Sequence, residues 1–316
     1  MAKARTLLPV AVDTLFAPAT FDFDLYIRPD PSGPALLYRE HSFPFERGDV
    51  DRLMRRGVTT LYIPDTGAAS YQRYVHQEIL SNTSLPPGQR FEALTAAGRM
   101  TFYEAFADGQ VDRMIAFAED LAGRVVDILC QREMVLFDLF RVMRHDHHTY
   151  THVTNVCGYC LALAERAGVS DRNELASIGA GALLHDIGKR HVPRSLLNKP
   201  GRLTDPEREV IQRHPSVGFE ELSPRQDLSW GQLMMVYQHH ERLNGRGYPV
   251  RLQADEIHPW AKLCAVVDVF DALTCQRPYR RPWPVKEAMA YLHERAGSEF
   301  DKEMVQCWMA AMNSAR

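Results

Sequence analysis

Cysteine is sparse in this chain: six residues, scattered, with Cys157 and Cys160 the single close pair. No second pair completes a zinc cage, and the pair falls on an expected helix through Val153, Val156, Leu161 and Leu163, so buried thiols are expected there. Long apolar runs are also missing, since none approaches the ~18 residues of a membrane-crossing helix. The start, Met1 to Arg5 before a short proline-broken apolar stretch, makes a poor signal peptide, and a cytoplasmic address without a membrane partner is expected. Charge of one sign is lacking too. With 37 Lys+Arg against 40 Asp+Glu, the net charge of −3 argues against a general binder of DNA or RNA polymers, which is usually basic. Any nucleotide recognition then has to be local. Internal repeats and low-complexity segments are absent, while 316 residues at 45% hydrophobic content are ample for two cores.

What the chain does have is an adjacent His185-Asp186 inside the apolar run Gly179 to Ile187, before Gly188 and Lys189. Packing alone would not put two metal-ligand types there, because burying polar or charged groups without partners is costly. His152 precedes the pair, and His214, the doublet His239-His240 and Asp268 follow, at intervals of roughly 25 to 35 residues that suit one helix and its connection. Ligands on separate helices can converge on one cavity, as in bundle metal sites. A set of His and Asp without Cys suits Fe, Mn, Co, Ni or Zn rather than Ca or Mg. The candidates exceed the needs of one ion: Asp186 can bridge two, with His152, His185 and Asp268 on one and His214, His239 and His240 on the other.

Several motifs in order then resemble a known family. His185 to Lys189 is followed by Leu197-Asn198-Lys199-Pro200-Gly201-Arg202-Leu203, by His214, by His239 to Pro249, by Asp268-Val269-Phe270-Asp271-Ala272-Leu273 and by Arg277-Pro278-Tyr279-Arg280. From about Asp146 to Trp308 the chain resembles the HD-GYP metal-dependent phosphodiesterases that hydrolyse cyclic di-GMP, a branch of the HD superfamily. The resemblance implies a mainly α fold, a helical HD-superfamily bundle, and two divalent ions, iron or alternatively manganese, with Zn, Ni or Co also compatible. Two such ions can hold a bridging hydroxide for in-line attack on a phosphodiester. It further implies ligation by His152, His185, Asp186, His214, His239, His240 and Asp268, with catalytic roles for Asp186 and Lys189. Arg277, Arg280, Tyr248, Pro249 and Asp271 are the implied substrate contacts. Guanidinium forks three residues apart fit phosphate and the Hoogsteen edge of guanine.

Gly245-Arg246-Gly247-Tyr248-Pro249 reads as a loop: glycine permits positive φ and proline rigidifies the exit. Glu241 is expected behind the ligands, orienting a neighbouring imidazole or a loop amide. Two positions depart from the family pattern. Asn244 stands where Asp is common and keeps a turn-forming, hydrogen-bonding side chain. His148 stands where some members carry a Glu for a third metal, so a dinuclear site is expected, with His148 a variant ligand or a gate over the substrate.

The first ~80 residues differ in texture. Phe21 to Ile27 alternates as a half-buried strand, Pro31-Ser32-Gly33 turns it, and Ala35 to Tyr38 returns as a partner. Arg47 to Arg56 reads as an amphipathic helix ended by Gly57, before a strand at Thr59 to Ile63. Residues 1–85 are therefore expected as a smaller α/β regulatory or docking module, 86–136 as a helical linker or bundle wall, and 137–316 as the phosphodiesterase domain. Met114, Phe117, Leu121, Val125, Ile128 and Val135 recur at helical steps, which serves a signalling helix, a homodimer contact or an outer wall equally well. The expected activity is opening of cyclic di-GMP to pGpG and on to GMP. The rivals are a slow cyclic di-GMP sensor or protein scaffold, and an HD phosphohydrolase acting on another cyclic dinucleotide.

Overall fold

The computed structural model describes residues 7–15, 17–29, 33–58, 60–75, 77, 90–91, 94, 109–129, 149–197, 199, 201–275 and 281–313. The chain divides into two compact units, Met1–Glu104 and Ala105–Arg316.

The first unit is a small α/β module. Strands β1 (Leu7–Ala11), β2 (Ala19–Thr20), β3 (Leu25–Ile27), β4 (Leu36–Arg39) and β5 (Pro44–Phe45) precede helix α1 (Arg47–Arg55), strand β6 (Thr60–Pro64) and helix α2 (Ala68–Tyr74). The main sheet runs β1-β6-β3-β4, all pairs antiparallel, and β2 pairs with β5. The expected hairpin is β3-β4, with Tyr26 opposite Leu37. Phe21, Phe23 and Leu25 alternate inward as the sequence suggested, although only Leu25–Ile27 joins the ladder. Their rings build the core: Phe21 stacks on Phe23 at 5.0 Å and meets Tyr74 edge-on at 5.0 Å. Helix α1 stops where Gly57 turns to φ 71°.

The second unit is helical: α3 (Val111–Leu129), α4 (Thr149–Arg166), α5 (Arg172–Leu184), a 3-10 turn (Ile187–His191), α6 (Arg194–Leu197), α7 (Asp205–Gln212), α8 (His214–Leu222), α9 (Trp230–Gln238), a 3-10 turn (Ala254–Glu256), α10 (Pro259–Thr274), α11 (Val285–Glu294) and α12 (Lys302–Asn313). Local chemistry starts these helices. Asp171 accepts from the Glu174 amide ahead of α5, and Thr204-Glu207 and Ser229-Gln232 form reciprocal capping boxes ahead of α7 and α9. Helix α5 is central, packed by α3, α4 and α9. Its Gly-Ala run makes this possible: a Cβ at Gly179 would lie 2.9 Å from the Ala122 Cβ, and one at Gly181 would lie 2.7 Å from the Met235 sulfur. The apolar face at Met114, Leu121, Val125 and Ile128 thus belongs to α3 as a wall of this bundle; Val135 lies outside the described residues. Tyr159, Phe270 and Trp308 join α4, α10 and α12 edge-to-face, with centroids 5.0 to 5.7 Å apart. Among the described residues no helix is long and apolar enough to cross a membrane.

Candidate metal centre

The ligand candidates sit where helices begin and end. His152 lies in the first turn of α4, His185 caps the C-terminus of α5, Asp186 opens the next 3-10 turn, His214 begins α8, His239 caps α9, and Asp268 lies within α10. A helix leaves its last carbonyls without intrahelical partners. Three imidazoles satisfy them: His185 Nδ1 donates to Ala182 O (2.6 Å), His214 Nδ1 to Ile211 O (2.8 Å) and His239 Nδ1 to Met235 O (2.9 Å). A carbonyl only accepts, so each ring carries its proton on Nδ1 and turns a bare Nε2 inward.

Those inward atoms gather into two groups. Asp186, His214, His239 and His240 form one, and His152, His185 and Asp268 the other, each with donor atoms within 4.8 Å of one another. Asp186 lies between them: Oδ1 is 3.1 Å from His214 Nε2 and 3.6 Å from His239 Nε2, while Oδ2 is 3.5 Å from His185 Nε2 and 3.7 Å from His152 Nε2. Asp268 is 3.1 Å from His152 Nε2 and 3.9 Å from His240 Nδ1.

The donor set fits metal ions. His214 Nε2 and His239 Nε2 face each other at 3.2 Å, and with both rings protonated at Nδ1 this sets lone pair against lone pair. Two nitrogens on one first-row cation would be about 3.0 to 3.4 Å apart, given bonds of about 2.0 to 2.1 Å. His185 Nε2 is buried with no hydrogen-bond partner among the described residues. Burial lowers His185 to about 4 despite Asp186 beside it, and burial with His239 nearby holds His240 well below its ordinary value, so both rings are neutral, the form a metal ion requires. Burial alone would raise Asp186, but the Lys189 ammonium against its carboxylate outweighs it and keeps it well below the usual carboxylate range. Asp268 is held low in the same way, against its burial, by His152. His152 is the exception: burial disfavours its cation, yet its bonds to Asp268 and Asp271 raise it to about 9.

Lys189 Nζ lies 2.5 Å from Asp186 Oδ2, on the 3-10 turn rather than on a continued helix. That turn packs tightly on α8, since a Cβ at Gly188 would stand 2.0 Å from His214 O. Tyr248 stacks on His240 with centroids 4.6 Å apart, and its amide donates to His240 O at 3.2 Å. Glu241, 2% exposed, takes the loop-amide option: it accepts from the backbone of Val250, Arg251 and Leu252 at 2.8 to 3.0 Å. Pro249 leaves the loop through a cis peptide.

Asp271 departs from the substrate contact expected of it. It is fully buried behind His152, accepting from His152 Nδ1 at 2.7 Å and from Asn155 Nδ2 at 2.9 Å, and Cys275 Sγ donates to it at 3.2 Å. One helical turn from Asp268 on α10, it reaches the far side of the imidazole and orients it. Sequence reasoning missed Asn155 and Cys275; the available signal was an Asn three residues after His152 in an otherwise apolar helix. Cys157 and Cys160 are buried and burial pushes both thiols up, as suits packing residues. His148, Arg277 and Arg280 lie outside the described residues.

The chain matches the HD domain family over residues 139–304, slightly more than half of its length. It is 34% identical over 221 residues to the cyclic di-GMP phosphodiesterase PA4108 of Pseudomonas aeruginosa, covering 69% of this chain and 53% of that protein. It is 34% identical over 188 residues to 3'3'-cGAMP-specific phosphodiesterase 2 of Vibrio cholerae, covering 58% of this chain and 35% of that one. The chain thus spans about half or less of these relatives' lengths. Its fold is similar to that of Bd1817, an HDG"Y"P protein from Bdellovibrio bacteriovorus, with a TM-score of 0.73 and 22% identity over 98% of this chain and all of that one. With a domain match over more than half of its residues, the chain belongs to the HD domain family.

Proposed function

We propose that this chain hydrolyses cyclic di-GMP, opening the ring to pGpG and continuing to GMP, at a site where His152, His185, Asp186, His214, His239, His240 and Asp268 would hold two divalent ions. The observation that carries the reading is the Asp186 carboxylate, whose two oxygens face two different groups of imidazoles. Iron or manganese bound there, or zinc, nickel or cobalt, would neutralise phosphate oxygens and make water a competent nucleophile near neutral pH.

The chain's own residues do the rest. His185, His214 and His239 are locked by their carbonyl bonds, so their Nε2 atoms need no reorientation when ligand or substrate arrives. Asp271 holds His152 from behind in the same sense. Lys189 uses one of its three donors on Asp186, and the others serve a phosphoryl or departing oxygen in the transition state. Tyr248 and Pro249 wall the cleft, and burial with Asp268 and Asp186 nearby pushes the Tyr248 phenol up, so it stays a donor. Arg277 and Arg280 are assigned to the nucleotide phosphates and base edges. His148 is assigned as a variant ligand or a gate, and the amino-terminal unit to regulation or protein docking.

Metal content and product chromatography on one anaerobically purified sample test this. Asp186→Ala is expected to lose both metal and turnover, whereas Lys189→Ala keeps metal and loses turnover. Hydrolysis by metal-free Asp186→Ala protein is incompatible with the reading. The Vibrio cholerae relative supports a second substrate, 3'3'-cGAMP; competition between the two dinucleotides ranks them.

A further inference from the structure

Beside the ligand cluster, the α7-α8 junction and the loop from Gly245 to Arg251 line an open pocket of about 680 Å³. That size falls in the range of small-molecule sites, about 300 to 1,000 Å³. Arg213 enters it from the junction, and Arg246 and Arg251 from the loop. Glu209 is the one acid of the lining, so three guanidiniums face one carboxylate. Among the described residues, none of the three makes an ion pair. Gln212 and Ser216 add neutral hydrogen-bonding groups, and Tyr248 forms a wall shared with the metal centre, its ring on His240.

Arg251 adds an independent observation. Its φ is 63°, in the left-handed region that glycine adopts freely and a long side chain does not. The Glu241 carboxylate holds its amide in that conformation at 3.0 Å. Strain maintained by a buried anchor, at a residue whose guanidinium lines a cavity, points to a use for the side chain.

We infer that this cavity seats the guanine base of the nucleotide half remote from the scissile bond, with the arginine forks donating to O6 and N7. The inference rests on the proposed cyclic di-GMP activity. Guanine offers two acceptors on that edge, whereas adenine places an amino donor where O6 would be, so a guanidinium favours guanine. The surplus positive charge draws the anionic dinucleotide into the cleft.

The test is steady-state kinetics on the metal-loaded full chain, with cyclic di-GMP as substrate and cyclic di-AMP as competing inhibitor. The variants are Arg213→Ala and the double variant Arg246→Ala/Arg251→Gly. Arg251→Gly relaxes the backbone, so weakened binding cannot be charged to lost folding. In the double variant KM for cyclic di-GMP is expected to rise about tenfold or more, with kcat changing far less, and the preference over cyclic di-AMP to shrink by a similar factor. Unchanged KM in both variants, with turnover intact, would overturn the pocket assignment and leave the proposed activity standing. Parallel loss of affinity for both dinucleotides would overturn guanine reading. A wild-type protein that cleaves bis(p-nitrophenyl) phosphate but not cyclic di-GMP would overturn the substrate reading itself, and this pocket with it.

Discussion

His185, His214 and His239 each commit one ring nitrogen to a helix carbonyl, and that local bond decides their chemistry. His152 differs because its anchor is a carboxylate, Asp271, itself held by Asn155. Asp271→Asn keeps the volume but replaces one acceptor with a donor, so either His152 Nδ1 or Asn155 Nδ2 then meets another donor. Metal affinity is expected to fall about 10- to 100-fold with the fold retained; titration against a chelator reads it, and unaltered affinity would show that His152 needs no anchor. In the amino-terminal unit, Asp24 accepts from both the backbone and the ring of His41 at 2.8 Å. The bond raises the exposed His41 above its ordinary 6.5. Its contribution to stability is therefore complete below pH 6.5 and is lost as pH rises through the raised midpoint. NMR titration is expected to place the midpoint above 6.5 and Asp24→Asn to bring it back; an identical midpoint in the variant would discard the pairing.

At the scale of elements, the site is an arrangement of helix ends, and two kinds of substitution separate helix stability from ligand placement. Ser229→Ala removes the side-chain cap of α9. It is expected to cost about 1 kcal/mol in urea unfolding while leaving metal content intact, because His239 is held at the other end of that helix. Gly188→Ala, by contrast, drives a Cβ into the His214 carbonyl, which lies 2.0 Å from the added atom. The turn and α8 must then separate, so metal loss is expected out of proportion to the loss of stability. Metal analysis beside urea melts of both variants checks the contrast, and the reverse ranking would refute this division of labour. Helix α5 was legible as apolar with a polar end, but not as the central helix. The close approach of α3 and α9 depends on Gly179 and Gly181 facing them, and sequence spacing alone does not say which helix will use a small face.

For the whole molecule, two compact units with separate cores imply two unfolding events. The candidate ligands all belong to Ala105–Arg316, so only that unit's transition is expected to respond to metal. Chelation is expected to lower its Tm, since an ion at a hundredfold excess over its Kd stabilises by about 2.7 kcal/mol. Calorimetry with and without chelator measures it; a shift confined to the other transition would mean that the ligand groups bind no metal. The aromatic packing of Tyr159, Phe270 and Trp308 keeps α4, α10 and α12 together, and with them His152 and Asp268.

Sequence by itself determined the inventory: which residue types can ligate, their helix-length spacing, and the alternation of Phe21, Phe23 and Leu25 that marks a buried face. These are local properties, since helical and strand periods follow from backbone geometry and a ligand's chemistry from its side chain. Tertiary structure decided the assignments. Asp268 and Asp271 lie on one helix a turn apart, and only the position of α4 makes the first face the cavity and the second back the imidazole. Likewise, Asp186 stands between two groups of imidazoles because α5 ends where α4, α8 and α9 converge. That convergence depends on packing between segments far apart in the chain, which no local pattern encodes.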